Sequence, residues 1–357
     1  MAGEGITDLS RFQDVNQPSP DPNDLFLKQF TGEILSTFEE ANVFKALHTI
    51  RTITSGKSAQ FPVTGVASAN YHNPGENIIQ EGGSSSTYLS DIAKTEKVIT
   101  IDNLLIASTM LYNLDDVKNH YDIRSIYATE LGRALAKRFD TAICKVFVAA
   151  ARASANLSGV TNTGGQIDIP NGDVSAPGVP GTPAAFTAQD LINAFFVAAQ
   201  KLDENDVPEM DRFCVLRPQE YYKLLTGADG SNVLTLTSAA NSDIGGSGNI
   251  STGTIPSIAG IKIYKSNHIP STDLSGVTTG DGAAKNDVFG TNGEGYNGNF
   301  TNTFGVIAHP AAVGTVKLLD LATESEYKTE YQSTLFLAKY AMGHGILRPE
   351  CALELVA

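Results

Sequence analysis

Gly56-Lys57-Ser58 is the first place where residue types suggest chemistry, because glycine followed by lysine and serine can cradle a phosphate. That loop also needs a glycine five residues earlier, where Arg51 stands, and a helix after it, where the pattern reads as a strand. Gly245, Gly246 and Gly248 fall short of a dinucleotide fingerprint, since Ser251 takes the last glycine position and no strand–helix frame surrounds them. His48, His72, His120, His268, His309 and His344 never fall at metal-ligand spacing and read as surface or packing residues. Asp203, Glu204, Asp206, Glu209 and Asp211 form an acidic run that reads as a solvated turn rather than a metal site. Cys144, Cys214 and Cys351 are odd in number and far apart, so no disulfide framework follows, and Cys144 reads as a packed, inert thiol. Asn156, Asn249 and Asn299 sit in glycosylation sequons, which carry nothing without a secretory route. No serine–histidine or paired-carboxylate arrangement can be placed. The expectation is a protein that is not an enzyme, with no cofactor and no metal.

Composition bounds the remaining classes. The chain has 357 residues, 41% hydrophobic and 18% charged, which suits a globular protein large enough for two domains. A net charge of -14 argues against gripping nucleic acid by neutralising phosphates, while permitting a surface that DNA slides past. The opening MAGEGITDLSRF lacks a basic region followed by an apolar run, so no signal peptide is expected. No apolar run approaches the ~20 residues that cross a membrane. The separated cysteines fit a reducing compartment.

The elements that would position any such groups begin with residues 115–154. Val117, Tyr121, Tyr127, Leu131, Leu135, Phe139, Ile143, Val146, Phe147 and Ala150 recur in steps of three and four. This predicts one long helix packing through Tyr127, Leu131, Leu135, Phe139 and Ile143. Asp115 and Asp116 lead it and Arg133, Lys137, Arg138, Lys145 and Arg152 follow, an order that suits the helix dipole. Such a helix is roughly 55–60 Å long. A heptad coiled coil is the rival, but the stripe drifts and polar gaps break it.

Residues 1–22 read as a flexible acidic tail. Leu27, Phe30, Ile34 and Phe38 follow at helical spacing after Asn23 or Asp24, and Phe44, Leu47, Ile50 and Ile53 continue without a core of their own. Residues 23–57 therefore read as an arm, docked either on its own domain or on a neighbouring subunit. Residues 58–104 read as two strands joined by a long, polar, glycine-rich loop. A loop that long is usually functional, and an isolated two-stranded ribbon is marginal in water. It needs a partner surface, expected to be another copy of the chain. Tyr71, Ile78, Ile79, Tyr88 and Leu89 would supply apolar contact there, and Glu76, Glu81 and Asp91 would face basic groups across the joint.

Residues 158–186 read as a low-complexity connector. A second unit starts at Thr187, whose spacing to Asp190 fits a capping pattern, with Leu191, Ala194, Phe195, Ala198 and Leu202 as a helical face. DRFCVL and GIKIYKSNHIP read as strands, with a short helix after Pro218 and loops at 226–256 and 271–303. FGVIAHP, VGTVKLLDLATESEY and STLFLAKYAMGHGILRP read as strands that pack on the long helix, making the first domain discontinuous. An arm, a ribbon and a long helix around two modest domains suit a subunit that interlocks in a symmetric assembly. The rival reading from another class is a hydrolase or nucleotide enzyme built on the second unit.

Several longer words carry a resemblance: SGKSAQFPV at 55–63, TEKVITIDNLL at 95–105, NHYDIRS at 119–125, VGTVKL at 313–318 and AKYAMGHGILRPE at 338–350. In order and spacing these blocks resemble the major capsid proteins of T7-like short-tailed phages (podoviruses), a cyanophage member among them. That family is similar in fold to the HK97 capsid proteins. The resemblance implies an α+β, HK97-like capsid fold: N-terminal arm at 23–57, extended β-hairpin loop at 58–104, peripheral domain at 105–186 and 304–350 with its spine helix at 115–154, and axial domain at 187–303 and 351–357. It implies a protein that self-assembles into hexamers and pentamers of an icosahedral T=7 head around double-stranded DNA, which it encloses without specific binding. The implied partners are itself, a scaffolding protein, a portal protein and a decoration protein, with no membrane. The implied location is the virion head, assembled in the host cytoplasm. Covalent crosslinking through a loop lysine, found in some members of the wider fold, is not expected, because no lysine lies between Val66 and Ile92. The runner-up within the fold is an encapsulin-like cellular nanocompartment shell.

Overall fold

The computed structural model describes Ile34, residues 42–65, 92, 94–114, 123–156, 163–170, 172–175, 186–226, 255, 257–275 and 296–357, and scattered positions between 67 and 78. In chain order the described strands and helices are β1 (Thr49–Thr52), β2 (Ser58–Thr64), β3 (Lys94–Thr100), β4 (Leu105–Tyr112), α1 (Ile123–Arg152), β5 (Gly165–Asp168), β6 (Asp173–Ser175), α2 (Ala188–Glu204), β7 (Phe213–Leu216), α3 (Pro218–Thr226), β8 (Ser257–Ile258), β9 (Ile261–Lys265), β10 (Thr303–Ala308), β11 (Val313–Lys328), β12 (Ser333–Ile346) and β13 (Ala352–Val356). The chain divides into two compact units; α1, β11 and β12 each run through both.

One unit contains Leu104–Phe139 and Leu319–Ala341. Here β4 pairs antiparallel with β12, from Leu105 against Tyr340 to Tyr112 against Ser333. Alternation sets the faces: Phe336, Ala338 and Tyr340 are buried while Leu335, Leu337 and Lys339 are half-buried. Phe139 of α1 meets Tyr340 edge-on at 6.2 Å between ring centres, so strand and helix pack as the periodicity requires. Lys339 reaches Glu324 of β11 at 2.5 Å on the half-buried face.

The second unit is built on a seven-stranded mixed sheet in the order β6-β5-β13-β10-β7-β9-β8. β10, β13 and β7 are short runs buried nearly throughout, the pattern of central strands covered on both faces. β10 lies antiparallel to both β13 and β7. α2 starts as its residues require: the Thr187 hydroxyl accepts the Asp190 N–H, and the Asp190 carboxylate accepts the Thr187 N–H at 2.8 Å. Leu191, Ala194, Phe195, Ala198 and Leu202 form its buried face. The C-terminal half of α1 departs from a single stripe. Ile143, Cys144 and Val146 to Ala151 are all buried, as befits a helix apolar on every side.

Two placements correct the sequence reading. Residues 304–308 were grouped with 333–350, yet β10 belongs to the seven-stranded sheet, and 165–168, read as connector, also form a strand of that sheet. A short apolar run records that a strand is buried but not which sheet buries it. Residues 44–52 are anchored at two points: Phe44 is fully buried, 6.0 Å from the Phe147 ring, and β1, exposed along its length, pairs parallel with β11 from Thr49 against Gly314. The four strands of that sheet follow the order β1-β11-β12-β4. Residues 115–122 of the expected helix, the arm before residue 42 apart from Ile34, and most of 226–303 lie outside the described residues.

Candidate assembly surfaces

β2 and β3 pair antiparallel, from Ser58 against Thr100 to Thr64 against Lys94, and form a sheet of two strands only. Among the described residues no third strand joins either outer edge. Gln60, Pro62, Thr64, Lys94, Glu96 and Val98 are exposed on one face. On the other, Ala59 and Ile99 are buried and form a small cluster with Val316, against which Ile53, Phe61, Ile101 and Leu347 pack. Arg51 braces the ribbon from β1: its Nη1 donates to the Gln60 carbonyl at 2.9 Å and its guanidinium lies 5.4 Å from the Phe61 ring centre. Of the expected contact residues beyond the ribbon, Tyr71 is fully exposed and Ile78 is exposed. Glu76, Ile79, Glu81, Tyr88, Leu89 and Asp91 lie outside the described residues.

The ribbon's root is held closely. The Ile101 N–H donates to the Lys57 carbonyl at 2.9 Å and the Asp102 N–H to the Met342 carbonyl at 3.2 Å. The Tyr296 hydroxyl donates to Asp102 Oδ2 at 2.6 Å and accepts the His344 N–H at 3.0 Å. His344 Nδ1 and the Thr315 hydroxyl are 2.8 Å apart behind it.

On the helix, Leu135, Phe139 and Ile143 are buried, Leu131 is half-buried and Tyr127 is exposed. Two buried carboxylates extend the helix's reach. Asp140 accepts the backbone N–H groups of Val43 and Phe44, at 2.8 and 3.3 Å, and lies 2.9 Å from His268 Nδ1. It caps the short turn at 44–46 from almost a hundred residues away. Glu354 of β13 receives Arg152 Nε and Nη2, each at 2.7 Å, together with Gln166 at 2.8 Å and the Thr303 hydroxyl at 2.5 Å. No periodicity marks these carboxylates. An isolated Asp at 140 inside an apolar helix was the one available signal.

The groups that suggested chemistry take structural places. Gly56 adopts φ +110°, a turn that glycine favours, and a strand follows Ser58 rather than a phosphate-binding helix. Asp203 of the acidic run, in the last turn of α2, pairs with Arg212 at 2.7 Å. Burial lowers the affinity of His48 for a proton, holds the Cys144 and Cys214 thiols far above the ordinary range and raises Cys351 to about 11. Glu220, buried at the start of α3, is likewise pushed up by desolvation. Among the described residues, no cluster of His, Cys, Asp and Glu could hold a metal, and no helix is long and apolar enough to cross a membrane.

Comparison with known proteins gives these surfaces a context. A family model described as "Gp10A-like: Major capsid protein" matches residues 60–356. The chain is 34% identical to the major capsid protein of Escherichia phage T7 over 92% of its own length and 90% of that protein's. It is also 34% identical to the major capsid protein of Enterobacteria phage T3, over 99% of this chain and 97% of the relative. Among solved structures, the capsid of cyanophage P-SCSP1u matches with a TM-score of 0.70 at 38% identity, covering 96% of both chains. The mature capsid of bacteriophage PhiM1 matches with a TM-score of 0.62 at 18% identity, covering 88% of this chain and 86% of that one, a likeness of fold.

Proposed function

The chain belongs to the Gp10A-like family of major capsid proteins, and from that premise we propose how its parts build a shell. It is the major capsid protein of a tailed phage, with an HK97-like α+β fold, and its copies assemble as shell oligomers of the virion head. The family is structural rather than enzymatic in general. The observation that carries this conclusion is identity of a third or more, along nearly the whole chain, to capsid proteins of short-tailed phages.

In our reading the subunits form hexamers and pentamers of an icosahedral T=7 shell. Assembly takes place in the host cytoplasm on a scaffolding protein, around a portal, and a decoration protein binds the finished surface. The shell encloses double-stranded DNA without binding its sequence. The domain roles follow the same reading, with α1 as the spine of a peripheral domain and the seven-stranded sheet as the axial domain. The β2–β3 ribbon, with the loop beyond it, is the joint to a neighbouring subunit. A sheet of two strands among the described residues, with one face exposed and only a small cluster beneath Ala59 and Ile99, supports that role. The nanocompartment alternative is not favoured, because the relatives that match along nearly the whole chain are phage capsid proteins.

Co-expression with the phage's own scaffolding and portal proteins, followed by cryo-electron microscopy, tests the reading. Closed icosahedral shells with β2 and β3 lying against an adjacent subunit are expected. Shells in which the ribbon touches only its own subunit would remove the joint, and failure to form any shell would remove the assembly scheme.

A further inference from the structure

We propose that Tyr296, acting over a floor made by Gly343, latches the root of the β2–β3 ribbon and sets the angle at which the ribbon leaves its subunit. The consequence for assembly rests on the reading of the ribbon as an inter-subunit joint. Three sets of contacts converge on Ile99 to Asp102. From below, the strand crosses β12 so closely that a Cβ on Gly343 would lie 2.0 Å from the Thr100 carbonyl oxygen and 2.8 Å from Ile101 Cα. Both are backbone atoms, so no side chain could give way, and only glycine permits this crossing. To one side, the Ile99 side chain fills the space over Gly314 and Gly345, where added Cβ atoms would come within 3.2 and 2.8 Å of it. At the end of the crossing, the Asp102 backbone bonds Met342 and its carboxylate bonds the Tyr296 hydroxyl.

Tyr296 is the piece that makes this a latch rather than a close contact. Its hydroxyl bonds both the Asp102 carboxylate of the root and the His344 N–H, one residue beyond the glycine floor. The side chain is 6% exposed, so these bonds form away from competing water. One side chain thereby joins the root and the floor to the segment that carries Tyr296. Leverage gives the latch its effect: strands of seven residues span ~23 Å, so a tilt of ~10° at the root moves the far end by ~4 Å. Tyr296 is a positioning residue, acting on the joint through Asp102.

Hydrogen exchange on the full-length, unassembled chain tests the latch, using Tyr296→Phe, which keeps the ring, and Gly343→Ala, which lifts the floor. Amides at 94–103 and 342–346 should exchange roughly tenfold faster in each variant, with 213–216 and 352–356 unchanged. Wild-type exchange at the root in both variants overturns the proposal. Acceleration spread equally over 213–216 and 352–356 also overturns it, by making Tyr296 a general stabiliser. Microscopy of shells from the same variants separates the two claims. Misclosed or irregular shells alongside a loosened root support both. Normal shells alongside a loosened root leave the latch standing and overturn the reading of the ribbon as a joint.

Discussion

At the scale of single residues, fixed charges sit where they tie distant segments together. Arg152 closes α1 in the turn where a cation suits the helix dipole, and its fork matches the Glu354 carboxylate with two bonds of 2.7 Å. Arg152→Met strands a fully buried carboxylate, and the loss should be about 3–5 kcal/mol, read as a large drop in the thermal midpoint of the subunit. Adding Glu354→Leu should recover much of it, because the cost lies in the unpaired charge; an unchanged midpoint in the single variant would contradict the account. His48 gives a pH dependence of definite sign. Desolvation lowers its folded affinity for a proton below the ordinary value of 6.5, against the opposing pull of the Phe44 carbonyl and Asp140. The unfolded chain then binds the proton more readily, so the stability is present in full above pH 6.5 and is lost as pH falls through the folded value. Melting curves across that window should show the decline, and His48→Gln should flatten it.

At the scale of elements, α1 and the ribbon behave oppositely. Leu135 is 2% exposed on the helix's packed side. Leu135→Asp removes its burial and inserts a carboxylate without a partner, which should cost at least about 3 kcal/mol. Soluble, shell-forming protein at wild-type yield would refute the packing role. The loop beyond the ribbon should be dispensable to the subunit's own fold. Ordering a residue costs roughly 1–2 kcal/mol, and a tip of mostly polar sequence offers little apolar surface to offset that within one subunit. Replacing Gly75 to Ser90 with a short glycine linker should leave the circular dichroism of the subunit intact while shells are lost or fragile. Global unfolding would instead assign the loop to the core, and mechanically normal shells would make it dispensable to assembly.

At the scale of the whole molecule, the net charge of -14 sets the relation to the genome. A protein that neutralises few phosphates releases few counterions, so it gains little affinity for duplex DNA even at low salt. Purified subunits should therefore bind duplex DNA weakly, with a shallow dependence on salt. Tight and steeply salt-dependent binding would contradict this.

Periodicity alone determined the elements whose burial is decided by their own side chains. The buried Leu135 and Phe139 of the stripe, the capped start of α2 at Thr187, and a strand within STLFLAKYAMGHGILRP all appear in the fold where the pattern puts them. Five words also carried the resemblance to the family, since runs of residues in a fixed order encode far more than a composition does. Only the tertiary structure decided which strands share a sheet, as when 303–308 joined 352–356 and 213–216. It alone showed why Gly343 must be glycine and that Asp140 caps a turn 97 residues away. The physical reason is one of range. A helix face or strand alternation is fixed by neighbours a few residues apart, whereas sheet order, close crossings and buried ion pairs depend on which distant groups meet, and nothing local in the chain records that meeting.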